Sequence, residues 1–382
     1  MSLTVIDICG YRSVKSLRFP VRRVSVYVGG NAVGKTNLYR ALELVHHAAT
    51  GALAREIGKE GGLASIFWAG PRRRDQIPRI TLEVFLESVL GHENTPFSPR
   101  YRIEIGFPDV IQHAAFDQEA QVKTEQLSIV TAGGRSVTLL ERKGRSVWAR
   151  DADGRKILLE HELLASETAL SQIRGGGVFA EIEAVRHTLS SWRFYHQFRT
   201  DPDAPIRRPG LPVTSPLLDA DGSNLASVLA TLRHIRGDTV DLDDAIDAAF
   251  PGAQLVIDPP TDRAQFSMRF PDLPHRIFAA RELSEGTLQF LALLGALLSY
   301  RLPPLIALNE PEASLHPDLL PALAKAIAQA AKRSQIWVVT HSRPLADAIE
   351  LETGAAAREV IRDDGATTLR GLGKLGTFVD DI

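Results

Sequence analysis

The chain of 382 residues holds a single cysteine, Cys9. One thiol closes no internal disulfide and builds no paired-cysteine zinc site, so a disulfide-stapled class is excluded and a reducing, cytoplasmic setting is expected. Net charge is almost absent: 44 Lys and Arg against 46 Asp and Glu leave −2 with histidine neutral. A broad basic field of the kind that gathers nucleic acid is therefore missing, and any DNA contact must come from a local patch. Long apolar runs are missing too. The most apolar stretch, residues 288–302, contains Gln289 and Ser299 and falls short of the roughly 20 residues that a membrane-spanning helix needs, so no membrane partner is expected. Residues 1–10 include Asp7 and no apolar run, which gives no sign of a secretory signal. Internal repeats, low-complexity tracts and heptad arrays are absent, which excludes solenoids and long coiled coils.

What is present suits a folded core. The chain is 44% hydrophobic and 24% charged with ordinary Gly and Pro usage, and its length suggests two to three domains of about 150 residues. Short strand patterns at 3–8 and 17–19 flank Gly10-Tyr11-Arg12, and a β-branched run over 24–28 stops at Gly29-Gly30. A helix then starts near Lys35 with Leu38, Leu42 and Val45 on one face. Residues 79–86 and 101–107 read as paired strands, and 137–142, 145–150 and 155–160 as an antiparallel meander. Helical periodicity runs over 163–173, 178–192, 225–236 and 241–250, with a proline-rich loop at 201–216. The last third returns to α/β texture: a helix at 288–298, buried strands at 304–308 and 336–340, a helix over 317–332, and a hairpin across Asp363-Asp364-Gly365.

Three segments carry chemistry. Gly29-Gly30-Asn31-Ala32-Val33-Gly34-Lys35-Thr36 fits G-x-x-x-x-G-K-[ST]. Glycines let successive N–H groups turn inward around phosphate oxygens, the helix amino terminus adds its positive end, Lys35 reaches the terminal phosphates, and the Thr36 hydroxyl is a magnesium ligand. Second, Leu305-Ile306-Ala307-Leu308 leads into Asn309-Glu310-Pro311-Glu312. An apolar strand ending in acids places carboxylates beside magnesium and the attacking water. Glu310 is the group to polarise that water. Asn309 stands where an aspartate is expected; as a neutral amide it accepts from a metal-bound water but supplies no charge, so magnesium affinity should be lower. Third, Leu283-Ser284-Glu285-Gly286 opens the apolar helix. Ser284 suits a plain helix cap, or, with Gly286, a γ-phosphate contact.

The order of these segments, followed by Ser314-Leu315-His316-Pro317 and Thr340-His341-Ser342, resembles the ATP-binding-cassette ATPases. More narrowly it is similar to the RecF, SMC and OLD-type heads among bacterial AAA-family ATPases. The opening Ile8-Cys9-Gly10-Tyr11-Arg12-Ser13-Val14-Lys15-Ser16-Leu17 and the loop from Gly29 through Thr36-Asn37-Leu38 share that character. The resemblance implies an α/β P-loop NTPase of ABC-ATPase head type, a mixed sheet flanked by helices with an inserted antiparallel-β and helical lobe. Residues 1–90 and 275–382 would form a discontinuous core, 91–160 its antiparallel part, and 161–274 a mainly helical insertion. It implies ATP and Mg2+ as cofactors, with Arg12 and Lys15 near the nucleotide and Gln76 on the metal. Ser284 and Gly286 would contact ATP held by a second subunit in a nucleotide-sandwich homodimer. His341 would touch the γ-phosphate.

Two basic patches are candidates for DNA: Arg72-Arg73-Arg74 beside Phe67-Trp68, and Arg193, Arg199, Arg207 and Arg208 around Trp192, Phe194 and Tyr195. The stretch after His341 is short for the nuclease domain of OLD-type proteins, and the long block between Lys35 and Ser284 disfavours a transporter subunit. Two readings stay open. One is an ATPase in DNA repair, chromosome maintenance or phage defence; the other is a slow ATP-dependent switch controlling a separate effector protein.

Overall fold

Strand β1 (Leu3–Tyr11) buries Ile6 and Ile8, while Asp7 between them and Cys9 after them reach toward solvent. That period of two belongs to a sheet with one wet face. It pairs antiparallel with β2 (Val14–Pro20) and β4 (Ile80–Leu86), setting Ile8 opposite both Leu17 and Leu82. The sheet continues through β6 (Pro96–Gly106), β7 (Gln121–Thr131), β8 (Ser136–Lys143), β9 (Ser146–Arg150) and β10 (Lys156–Leu158), and β5 (Val89–Leu90) joins β6, for nine strands among the described residues. Helix α1 (Lys35–Thr50) buries Leu38, Leu42 and Val45 along one stripe. With it come α2 (Leu53–Lys59), α3 (Leu63–Ile66), α4 (Ala169–Gln172) and α5 (Ala180–Ser190), and a hairpin of β17 (Arg358–Asp363) and β18 (Ala366–Leu369).

A second unit is built on parallel strands. These are β3 (Val24–Val28), β11 (Arg193–Tyr195), β15 (Leu305–Asn309) and β16 (Gln335–Thr340), in the order β11-β15-β16-β3, with Leu308 opposite Tyr195 and Val338. Every residue of β3 and β16 is buried, the continuous apolar run expected of strands covered on both faces. Helices α8 (Glu285–Leu298), α9 (Leu320–Ala331) and α10 (Arg343–Thr353) pack in the same core with α6 (Leu225–Thr231) and α7 (Val240–Ala249). Leu288, Phe290, Leu291 and Leu294 of α8 are fully buried, worth about 1.5–3 kcal/mol each in removed apolar surface. A small antiparallel sheet of β12 (Gln254–Val256), β13 (Ser267–Arg269) and β14 (Ile277–Ala279) completes the unit.

The structure is a computed structural model that describes all residues except 73–76, 88, 91–95, 109–115, 117, 132–133, 160–162, 175–176, 237–238, 258–261, 374–375 and 379–382. It divides into Met1–Arg22, Gly29–Trp192 and Glu359–Ile382 on one side and Arg23–Val28 with Arg193–Arg358 on the other. This division cuts at residue 192, inside the expected 161–274 insertion. Among the described residues that stretch also carries three short strands, β11 to β13, beside its helices. The strands of 91–160 continue the sheet begun by β1, β2 and β4.

Several local expectations are corrected. The helix read over 163–173 shrinks to Ala169–Gln172. Buried Arg142 donates to the carbonyls of Leu164 (3.0 Å) and Glu167, groups that a helix would bond internally. Strand β7 escaped notice because Glu125 and Ser128 are buried in it beside Val122 and Leu127, which breaks the apolar alternation. The Glu125 carboxylate accepts from Tyr101 Oη (2.9 Å) and from the Ala169 and Leu170 N–H groups (2.6 and 2.9 Å), so it caps α4. Burial pushes its pKa up. The expected helix over 225–236 is α-helical only to Thr231 and continues as a π-helix over Leu232–Arg236. Gly10 lies within β1 rather than in the turn; its φ is +76° and an added Cβ would stand 2.1 Å from the Arg79 carbonyl oxygen.

Candidate functional site

The phosphate loop follows β3 and opens α1, as its chemistry requires. Gly34 caps α1 in the left-handed region (φ 100°) with no side-chain cap, and the first turn carries no acid. The amino-terminal N–H groups are thus left for an anion. Lys35 is 5% exposed, and its Nζ donates to the carbonyls of Gly29 (2.9 Å) and Gly30 (2.7 Å). An anion entering the loop meets an ammonium already drawn into it. Gly30 has open space where a Cβ would be, whereas a Cβ on Gly29 would stand 2.6 Å from the Val360 carbonyl oxygen. Asn31 and Ala32 are exposed, and Val33, Thr36 and Asn37 are half-buried.

A hydrogen-bond chain holds this loop from beneath. Asn37 Nδ2 donates to Ser13 Oγ (2.7 Å), Ser13 Oγ lies 2.7 Å from Thr367 Oγ1, and Thr367 Oγ1 donates to the Val33 carbonyl (2.7 Å). Each hydroxyl has one proton, so the direction is set: Ser13 donates to Thr367. A Cβ on Gly34 would stand 2.0 Å from Thr367 Oγ1. The positioning role of Thr367 had no local sequence signal. Arg12, expected near nucleotide, donates to Glu60 (2.5 Å), which also holds Arg40 (2.6 Å). Lys15 is exposed beside Asp363 and Asp364 in a cavity of 420 Å³. Gln76 lies outside the described residues.

The acidic strand end belongs to the parallel-sheet unit. Glu310 leaves β15 with φ 50°, its N–H bonded to the Val339 carbonyl at 2.7 Å. His341 Nδ1 is 3.9 Å from Glu310 and 3.2 Å from Glu312. Asn309 Oδ1 and Glu312 Oε2 are buried acceptors without a hydrogen-bond partner in the protein. Such oxygens fit a hydrated divalent cation, and magnesium needs few protein ligands when phosphates supply others. Among the described residues no cluster of three or more His, Cys, Asp or Glu could hold a metal by itself.

Ser284 caps α8, accepting from Thr287 N–H at 3.1 Å. A Cβ at Gly286 would lie 2.9 Å from the Ser314 carbonyl oxygen, so glycine permits the close approach of these two segments. Ser284, Gly286, Thr287, Ser314 and His316 line one cavity of 680 Å³. Arg207 donates to the carbonyls of Thr200 (2.8 Å), Arg281 (3.1 Å) and Leu283 (2.8 Å), fixing the backbone just before Ser284. Among the described residues, those other than glycine with positive φ are Arg12, Ala32, Glu310, Ser314 and Asp364. All but Asp364 lie in the motifs, the expected place for stored backbone strain.

The basic patches are largely committed. Arg199 pairs with Asp201 at 3.0 Å, and Arg208 donates to the Asp203 carbonyl at 2.9 Å. Phe67, Trp68, Trp192, Phe194 and Tyr195 are all buried, which takes their faces away from bases. Arg73 and Arg74 lie outside the described residues.

Residues 175–348 match a family described as AAA domain, putative AbiEii toxin, Type IV TA system. Residues 1–53 match one described as protein of unknown function, DUF2813. Among curated proteins none matches. A solved structure described as an SMC head bound to the C-winged helix domain of ScpA is 15% identical, with TM-score 0.51 and 97% of each chain covered. A Pyrococcus furiosus SMC head with an extended coiled coil, bound to the C-terminal domain of ScpA, is 13% identical, with TM-score 0.49, covering 96% of this chain and 95% of that one. The fold is that of an ABC-type, SMC-like ATPase head. Among the described residues no helix is long and apolar enough to cross a membrane.

Proposed function

We propose that the chain binds and hydrolyses ATP as a cytoplasmic RecF- and SMC-like head, closing as a nucleotide-sandwich homodimer in DNA repair, chromosome maintenance or phage defence. The observation that carries the reading is the uncapped start of α1, with buried Lys35 bent onto the Gly29 and Gly30 carbonyls. In this mechanism the N–H groups from Gly29 to Asn37 bind the phosphates, and Lys35 stabilises the terminal ones. Bound magnesium would neutralise charge developing on the transferring phosphoryl group. Thr36 Oγ1 would hold it directly, and Asn309 Oδ1 would accept from one of its waters. Glu310 takes the proton of the attacking water, and His341 faces the γ-phosphate. Ser284 and Gly286 serve the nucleotide of the second copy.

The departure at Asn309 favours a second reading, a slow switch that controls a separate effector. Steady-state phosphate release, measured with and without duplex DNA, separates the two. The repair reading expects turnover that DNA stimulates, and the switch reading expects tight ATP binding with turnover that DNA leaves unchanged. DNA binding should require ATP and weaken steeply between two salt concentrations, because the patch must be assembled by dimer closure. Tight nucleotide-independent binding would contradict it.

A further inference from the structure

We propose that Glu312 positions His341 and keeps its ring off Glu310. This rests on the reading of Glu310 as the base. Glu312 is nearly sealed from solvent, its side chain 6% exposed against 39% for Glu310. Its Oε1 accepts from three donors of one short segment, the Thr340 hydroxyl, the His341 N–H (3.1 Å) and the Ser342 N–H (3.2 Å), and His341 Nδ1 stands 3.2 Å from it. The strand end and the ring are therefore held by one oxygen.

An ionised carboxylate accepts and cannot donate. With Nδ1 3.2 Å from that acceptor, the positioning role requires the ring proton on Nδ1 and Nε2 presented outward. Fixing a functional imidazole through its second nitrogen is how orienting carboxylates act elsewhere. The same Nδ1 stands 3.9 Å from Glu310. Two carboxylates thus compete for one N–H. Glu312 has the shorter separation, 3.2 Å against 3.9 Å, and the more buried carboxylate, where attraction for a ring N–H is stronger. Glu310, half-exposed and farther from the ring, stays free to accept a proton from water. Removing Glu312 should let His341 turn to Glu310 and occupy it.

The test labels histidine with 15N and assigns the His341 ring by its loss in His341→Gln. In the native protein, without nucleotide, the ring should show a protonated Nδ1 and an unprotonated Nε2. Glu312→Ala should convert this to a mixed or Nε2–H signature. In Glu312→Gln the amide oxygen can still accept the backbone N–H groups, so the fold should be kept, as thermal melting would report. Its kcat should drop by roughly tenfold or more while KM and ATP affinity stay within about twofold. An unchanged His341 signature in Glu312→Ala, or an unchanged kcat in folded Glu312→Gln, overturns the proposal. The nucleotide-free spectrum fails only with the positioning role, whereas a native protein without turnover fails the ATPase reading instead.

Discussion

The loop-bearing unit and the parallel-sheet unit solve one problem, holding a functional segment at the end of a β-strand, by opposite means. The phosphate loop is held by neutral hydroxyls, the Asn37-Ser13-Thr367 chain, and its helix starts uncapped. The 310–342 segment is held by a buried carboxylate, and both α8 and α10 start on serines, Ser284 and Ser342, whose hydroxyls accept N–H groups of their own helices. The difference follows charge. A loop proposed to receive a polyanion suits open helix N–H groups, and the first turn of α1 carries no acid. A segment that must hold a histidine and a base can use a carboxylate, provided donors satisfy it.

Substitutions in the two units should therefore fail differently. The largest effect is expected for Glu310→Gln, which should retain ATP affinity and slow hydrolysis by roughly a hundredfold or more, read by single-turnover phosphate release. Lys35→Ala should instead weaken ATP binding by about tenfold or more in calorimetry. Unchanged affinity would remove the phosphate-loop assignment. Thr367→Val removes the hydroxyl that joins Ser13 to the Val33 carbonyl. At about 1 kcal/mol for one hydrogen bond, ATP affinity should fall roughly fivefold, while phosphate release from saturated protein should scarcely change. If kcat drops and affinity does not, the division of labour between the units is wrong. Asn309→Asp is the mildest: a restored carboxylate should raise magnesium affinity by a few-fold without abolishing turnover, measured as the magnesium dependence of ATP binding.

Legibility in the sequence followed the same division. The phosphate loop, the β15 strand end and the Ser284 cap are contiguous stretches whose chemistry is written in neighbouring residues, so the ABC-type head could be read directly. Thr367 lies 354 positions from Ser13, and no local pattern marks a threonine that reaches back to a glycine loop. Glu312 was in view as part of Asn309-Glu310-Pro311-Glu312, yet its role depends on the Thr340-His341-Ser342 segment meeting it in space. Strand β7 and the shortened α4 were missed for one reason. Glu125 and Arg142 are charged residues facing a core, satisfied by backbone groups that only the tertiary fold supplies.

The central claim is that ATP is shared between two copies, the loop of one and Ser284 of the other. Analytical ultracentrifugation of Glu310→Gln with ATP and magnesium tests it most directly, with Ser284→Arg added in the same background. The account predicts a dimer that forms only with nucleotide and is lost when Ser284→Arg is introduced, while each monomer still binds ATP. A species that stays monomeric with ATP, or an ATP-dependent dimer that survives Ser284→Arg, would contradict it.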